Sequence, residues 1–315
     1  MTIDSTHILV LNYNGRLLLA ECLPSLVEAA RRCSVPCRVS VLDNDSTDGS
    51  RDWLASNWPS VGVIHSPNQG LASFNEVARG LREPVLLLLN NDVKLAADAI
   101  DPLLRVFERT DDALFSAPLC WSFDGLHYEG MRTRVRLRYG MVQGMSRVPG
   151  IERVFSVPDL TAAAGPVLAV DRLRFLEVGG YDPVFFPGRI EDLDFGFRGW
   201  MKGYVGYYEP RSIAYHQGNA TFQPVLGEDQ CDLLATRNTL IFCWKNLSGI
   251  RLARHLAWIP PRLAYSVMRG RLGYLRALAG AARRVGRIWQ ARRELGVGRG
   301  SWVEHQERYF RRFAW

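Results

Sequence analysis

The 315-residue sequence predicts an α/β fold: a mostly parallel central sheet flanked by helices, followed by a C-terminal helical basic extension. Three observations predict it. Residues 84–92 read PVLLLLNND, an apolar run uncharged until its aspartate, as in a strand buried on both faces. The first 120 residues alternate short apolar strands with amphipathic helices, the pattern of a doubly wound sheet with right-handed crossovers. From Arg251 to Trp315 there are 15 Arg and 3 Glu, a charge of +12 where the whole chain carries +7, leaving −5 on the first 250 residues.

Taken in order, strands are expected at Ile8–Asn12, Arg38–Asp43, Val61–His65, Val85–Asn90 and Ala113–Leu119. Helices are expected between them at Leu17–Ala30, Gly49–Asn57, Leu71–Gly80 and Ala96–Arg109. After Leu119 the pattern breaks. Residues 132–139, RTRVRLRY, alternate arginine with apolar residues as a hairpin or loop with one cationic face would. Apolar segments return at Ala162–Val170 and Arg172–Val178, then comes the turn Gly179–Pro183 and an acidic helix start at Glu191–Asp194. From about Ile250 the chain reads as helices rich in Leu, Ala, Trp and Arg. The domains expected are a body over 1–250, divided near residue 120, and a basic amphipathic helical region over 251–315.

Composition, with 47% apolar and 23% charged residues, is that of a soluble globular protein. No apolar run approaches the roughly 18 residues of a spanning helix, and the N-terminus lacks the parts of a signal peptide. Six scattered cysteines with no second spaced pair argue against zinc and for reduced thiols, hence a cytoplasmic setting.

The chemistry-bearing residues gather at expected strand ends. LNYNG offers Leu11 and Asn12 backbone groups and the Tyr13 ring; VLDNDSTDGS places Asp43 and Asn44 beside them. These suit a nucleotide crevice, Asp43 accepting from a base edge, although a capped strand-to-helix loop would look the same. PNQGLASFN puts Asn68 or Asn75 near a sugar or ribose, or makes only a turn and cap. Asp92, with Asn90 and Asn91 before it, is a one-carboxylate anchor for Mg²⁺ or Mn²⁺ held largely by a ligand's phosphates. In FFPGRIEDLDFGFRGW, Glu191, Asp192 and Asp194 cluster, with Arg198 able to pair with one of them from the next turn. Close carboxylates raise at least one pKa, making a general base. His216 follows the apolar Ile213–Tyr215 and joins a metal site only if one lies nearby.

The order of these motifs resembles that of the inverting glycosyltransferases of family 2, which have a GT-A (Rossmann-like) fold, and among them the bacterial rhamnosyltransferase-like branch. LNYNG, VLDNDSTDGS, PNQGLASFN, LNNDV, GGYDPVFFPGRIEDLDFGFRGWMKGY and AYHQGNAT run in family order across roughly residues 7–245. The resemblance implies that 1–120 is a nucleotide-sugar-binding half and 121–250 an acceptor and catalytic half. It implies that Asp43 reads the base, that Asn90-Asn91-Asp92 stands where the family has a metal-binding Asp-x-Asp, that Asp192 is the general base, and that His216 completes the metal shell. Arg237 and Asn238, in ATRNTLIF, match an Arg-Asn pair expected at phosphate or acceptor. Of the Gln-x-x-Arg-Trp of processive synthases only Arg198 and Trp200 remain, at another spacing.

The implied activity is transfer of a sugar, rhamnose among the candidates, from a dTDP- or UDP-linked donor to a glycan or lipid-linked acceptor in surface polysaccharide synthesis. The basic region suits an anionic membrane surface on the inner face of the cell membrane, or packing on the body with a solvated arginine face; no recognition motif points to nucleic acid. Two other readings compete. A nucleotidyltransferase would want a Gly-rich basic loop after the first strand, which LNYNGRLLL lacks. A non-catalytic nucleotide-sugar-binding or scaffolding protein would fit Asn90 but has no use for both Asp92 and Asp192.

Overall fold

The computed structural model describes residues 1–147, 151–218 and 227–315. Strands β1 (Thr6–Asn12), β2 (Cys37–Asp43), β3 (Gly62–His65) and β4 (Val85–Asn90) alternate with helices α1 (Arg16–Arg32), α2 (Ser50–Asn57) and α3 (Ser73–Gly80). There follow β5 (Val93–Leu95), α4 (Ile100–Arg109), β6 (Ala113–Ser122), β7 (Tyr128–Gly130), β8 (Arg134–Arg138), β9 (Met141–Met145), β10 (Asp159–Thr161), β11 (Val167–Asp171) and α5 (Arg172–Val178). The acidic segment is α6 (Glu191–Met201), and β12 (Val205–His216) is the last described strand. Helices α7 (Glu228–Asn246), α8 (Gly249–Ala257), α9 (Ile259–Met268), α10 (Gly273–Ala282), α11 (Val285–Leu295) and α12 (Trp302–Arg312) complete the described chain.

The central sheet runs β10-β12-β6-β11-β4-β1-β2-β3. Its β4-β1-β2-β3 side is parallel, β11 enters antiparallel between β4 and β6, and β12 lies parallel to β6. Every residue from Val85 to Leu89 is buried, because helices cover both faces. Strand order reverses at β1, so the carboxyl ends of β4, β1 and β2 open on one crevice. Register places Asn12 opposite Asp43, and Leu11 opposite Asn90.

The expected arginine hairpin is β8–β9, and its inward residues Val135 and Val142 belong to a second apolar core. That core answers the question about residues 251–315. Phe197 of α6 and Phe242 of α7 share it with Ala277, Ile288, Trp302, Tyr309 and Phe313. Rings of Phe197 and Tyr309 meet edge-on at 4.9 Å, and Trp200 meets Phe313 at 5.4 Å. The Val135 amide donates to the Phe313 carbonyl at 2.7 Å, and the Arg136 guanidinium lies 3.6 Å from the Trp315 ring. Residues of the 251–315 region thus pack on the body and roof it. Among the described residues no helix is long and apolar enough to cross a membrane, and all six cysteines are free thiols.

Candidate active site

The crevice is organised by one amide. Asn12, wholly buried, donates through Nδ2 to Asp43 Oδ2 and to Ser46 Oγ, each at 3.2 Å. Its Oδ1 accepts from Asn91 Nδ2 at 2.8 Å. Three strand ends are tied through this side chain. Asp43 also accepts from the Ser46 amide at 3.0 Å and has Arg51 Nε at 3.7 Å, with none of its side chain exposed. It anchors the 43–48 turn. Tyr13, by contrast, is exposed at the rim. Asn44 donates to the Gly70 carbonyl at 3.2 Å, and its Oδ1 is buried with no protein partner.

Asn68 accepts from the Gly70 amide at 3.0 Å and so shapes the loop after β3. Asn75 is engaged on both sides of its amide. Its Nδ2 donates to the Tyr181 carbonyl at 2.7 Å and its Oδ1 accepts from the Tyr181 amide at 2.9 Å. Both ends of the amide brace the Gly179–Pro183 turn.

Asp92 and His216 come together. Strand β5 pairs with β12 so that Val93 faces His216, bringing His216 Nε2 to 3.4 Å from Asp92 Oδ2. Asp92 is buried and its Oδ1 has no protein partner, while Glu129 Oε2 lies 3.9 Å from His216 Nδ1. An orphan carboxylate oxygen beside an imidazole fits a hard divalent cation completed by phosphate oxygens. Among the described residues no three acidic, histidine or cysteine side chains form a ready metal cage.

Helix α6 carries the remaining acids at its start. A β-carbon on Gly196 would meet the Ala162 carbonyl oxygen at 2.1 Å, so α6 lies directly against the segment leading into β11. That segment caps the end of β4, since the Asn90 amide donates to the Pro166 carbonyl at 2.9 Å. On the other flank, a β-carbon on Gly70 would sit 3.1 Å from the Pro187 carbonyl, so the Phe-Pro-Gly loop before α6 touches the loop after β3. Arg189 and Ile190 enter the helix at φ of +80° and +74°. Positive φ is a strained region, especially for a β-branched residue, and surroundings must hold it.

The three carboxylates of α6 have separate fates. Burial pushes the Asp192 carboxyl up to about 6, against hydrogen bonds from backbone amides, including that of Leu193 at 2.8 Å. Burial and then the neighbouring Asp192 push Glu191 up to about 8, and its Oε2 has no hydrogen-bond partner. Asp194 goes the other way. Burial alone would raise it, but Lys245 and Arg198 hold it below the usual carboxylate range. It accepts from Arg198 Nε at 2.7 Å, Lys245 Nζ at 2.8 Å and Asn246 Nδ2 at 2.7 Å, with no exposure. Asp194 is a structural hub, and Arg198 extends it to the carbonyls of Val178 and Gly180. Trp200 points away from the crevice, donating to the His305 carbonyl at 3.0 Å.

Arg237 and Asn238 hold the loop before α6. Asn238 Nδ2 reaches the carbonyls of Phe185, Gly188 and Arg189 at 2.7, 2.7 and 2.9 Å. Arg237 donates to Asn238 Oδ1 at 2.9 Å and to the Phe186 carbonyl at 2.8 Å. The pair clamps the strained loop ahead of Glu191 and Asp192.

Residues 7–162 match the family model of Glycosyl transferase family 2. Those residues, just under half of the chain, are similar to a family 2 glycosyltransferase domain. No curated protein matches the chain. The fold is the GT-A fold of three solved structures. GalNAc-T7 with UDP, GalNAc and Mn²⁺ aligns at TM-score 0.56 and 18% identity, over 78% of this chain and 48% of that one. Thus this chain spans about half the length of GalNAc-T7. TarS 1-349 of S. aureus in complex with UDP-GlcNAc aligns at TM-score 0.55 and 12% identity, over 98% and 89%. The mannosyltransferase PcManGT of Pyrobaculum calidifontis, with GDP-Man and Mn²⁺, aligns at TM-score 0.52 and 15% identity, over 100% and 86%.

Sequence reasoning missed three residues around these polar groups. Lys245, buried, joins Asp194 to Asp182 Oδ2, the latter at 2.6 Å. A lone lysine in the apolar helix LIFCWKN was the available signal, since a buried ammonium requires a carboxylate. Glu129 and Ser46 carried no such mark. The end of AYHQGNAT, residues 219–221, lies outside the described residues.

Proposed function

We propose that this chain is an inverting glycosyltransferase that moves a sugar from a nucleoside-diphosphate-sugar to a hydroxyl of a glycan or lipid-linked glycan, with Asp192 as general base. What supports it is the raised Asp192 carboxyl at the start of α6, together with the Asp92–His216 pair beyond the end of β4. Asp92 and His216 would hold Mg²⁺ or Mn²⁺, which when bound supports the negative charge of a departing diphosphate. The Tyr13 ring and the Asn12–Asp43 edge would receive the base, dTDP and UDP being the favoured donors. Ionised Asp192 accepts the proton of the acceptor hydroxyl as its oxygen bonds to the anomeric carbon. The bond from that carbon to the diphosphate breaks on the opposite face, so configuration inverts. General-base assistance of this kind is worth typically 10²–10⁴-fold. Glu191, kept protonated near neutral pH by burial, leaves Asp192 as the base. Rhamnose transfer in bacterial surface polysaccharide synthesis is the specific role proposed, with a lipid-linked acceptor bringing the chain to the inner face of the cell membrane.

The test is a panel of dTDP-, UDP- and GDP-sugars with Mg²⁺ or Mn²⁺, read by nucleotide release and thermal shift. Asp192→Asn should keep the donor-induced shift and lose turnover; Asp92→Asn should lose the metal dependence of the shift. Donor binding without turnover in both wild type and Asp192→Asn would replace the transferase with a nucleotide-sugar-binding protein.

A further inference from the structure

Beside the hairpin tip, away from the acidic crevice, α9 and α10 enclose a cavity of about 660 Å³. Tyr139, Trp258, Pro261, Arg262, Tyr265 and Tyr274 line it, and its wall is mostly apolar. The Tyr274 hydroxyl is buried without a partner. On the same two helices and the turn joining them, Met268 is 78% exposed, Val267 56%, Leu272 48% and Leu275 42%. A cluster of aliphatic side chains left in water this way marks an interaction surface.

The charge says what meets it. Between Leu233 and Arg293 the sequence holds 12 Arg and one Lys but neither Asp nor Glu. Arg254, Arg269, Arg271 and Arg276, around the same ledge, are exposed. Arg262 is turned inward, donating to the Tyr139 carbonyl at 2.9 Å, so it braces the hairpin against the cavity mouth. An occupant must accept apolar side chains and supply dense negative charge together. Nucleic acid meets only the second demand, because Met268 and Leu272 would face hydrated phosphates.

We propose that this ledge seats the chain on an anionic lipid bilayer. Tyr265, Val267, Met268 and Leu272 enter the headgroup boundary, Arg269 and Arg271 meet lipid phosphates, and the cavity receives the end of an acyl chain. Aromatic and aliphatic side chains interleaved with arginine are the composition of an interfacial surface. The inference is independent of the transferase reading, since lipid binding requires neither donor nor turnover.

The experiment is vesicle sedimentation of the full chain, with phosphatidylcholine alone and with about a third phosphatidylglycerol. Binding is expected only with the anionic lipid and should weaken at high salt. Met268→Glu with Leu272→Glu should lower partitioning at least about tenfold. Arg269→Gln with Arg271→Gln should lower it about 25-fold, roughly fivefold per arginine. All four positions are exposed, so thermal melts of both double variants should match wild type. Partitioning unchanged in both variants, equal binding to neutral vesicles, or tighter binding to an RNA oligonucleotide than to anionic vesicles would overturn the proposal.

Discussion

Replacing Asn238 by Asp changes one atom and should collapse the loop before α6. Asn238 has no exposed surface, and its amide nitrogen faces three carbonyl oxygens within 2.9 Å. Two N–H groups serve three acceptors, so the equivalent of two neutral hydrogen bonds is lost, at about 1 kcal/mol each. The aspartate oxygen would then face those carbonyls without a proton, adding a desolvation penalty of about 1–3 kcal/mol. The retained pair with Arg237 offsets part of this. The balance is a destabilisation of roughly 2–4 kcal/mol, a large share of the 5–15 kcal/mol typical of a domain. Because Arg189 and Ile190 hold positive φ only under constraint, the acids should lose position before the fold is lost. The measurement is urea unfolding together with donor turnover. Turnover should fall at least tenfold under conditions where circular dichroism remains native. A variant with wild-type midpoint and turnover within twofold would refute the clamp.

Three further outcomes follow from the same geometry. Turnover should rise with pH through about 6 as Asp192 ionises, and Glu191→Gln should raise Tm at pH 9 while leaving it unchanged at pH 4. The sign comes from Glu191 being raised from 4.5 to about 8: its contribution is intact below 4.5 and lost as pH passes through 8, so equal Tm changes at both pH values would contradict it. Gly196→Ala should destabilise by about 3 kcal/mol because its β-carbon would lie 2.1 Å from the Ala162 carbonyl oxygen, whereas helix propensity alone predicts about 1 kcal/mol of stabilisation; the sign of the urea-midpoint shift decides. A chain ending at residue 300 loses Trp302, Tyr309, Phe310 and Phe313 from the second core, and at about 3–5 kcal/mol per large aromatic it should not fold; a soluble truncated chain with a native melt would show the roof to be dispensable.

The parallel strands were legible because burial on both faces leaves a mark in the sequence: Val85–Leu89 had to be apolar, and Asn90-Asn91-Asp92 had to end the run. Asp92 and His216 were singled out for a similar reason, each being a polar residue that follows an apolar run. What stayed hidden was direction. Asn75, Arg237 and Asn238 are of residue types that bind ligands, but each is satisfied by backbone carbonyls or amides of a distant loop. Backbone groups have no letter in the sequence, so such partners leave no trace in it. The packing of residues 251–315 was ambiguous for a related cause: Tyr309 and Phe313 are core and Tyr265 is exposed, and a count of aromatics does not separate them.

The Asn12 amide couples the ends of β1, β2 and β4 through hydrogen bonds no longer than 3.2 Å, so the mouth of the crevice has its width set before any nucleotide arrives. Such preorganisation lowers the entropy lost on association. It also moves discrimination among donors outward, to rim groups such as the Tyr13 ring, so that exchanging one nucleotide preference for another should be a matter of edging substitutions while the strand termini themselves tolerate almost none.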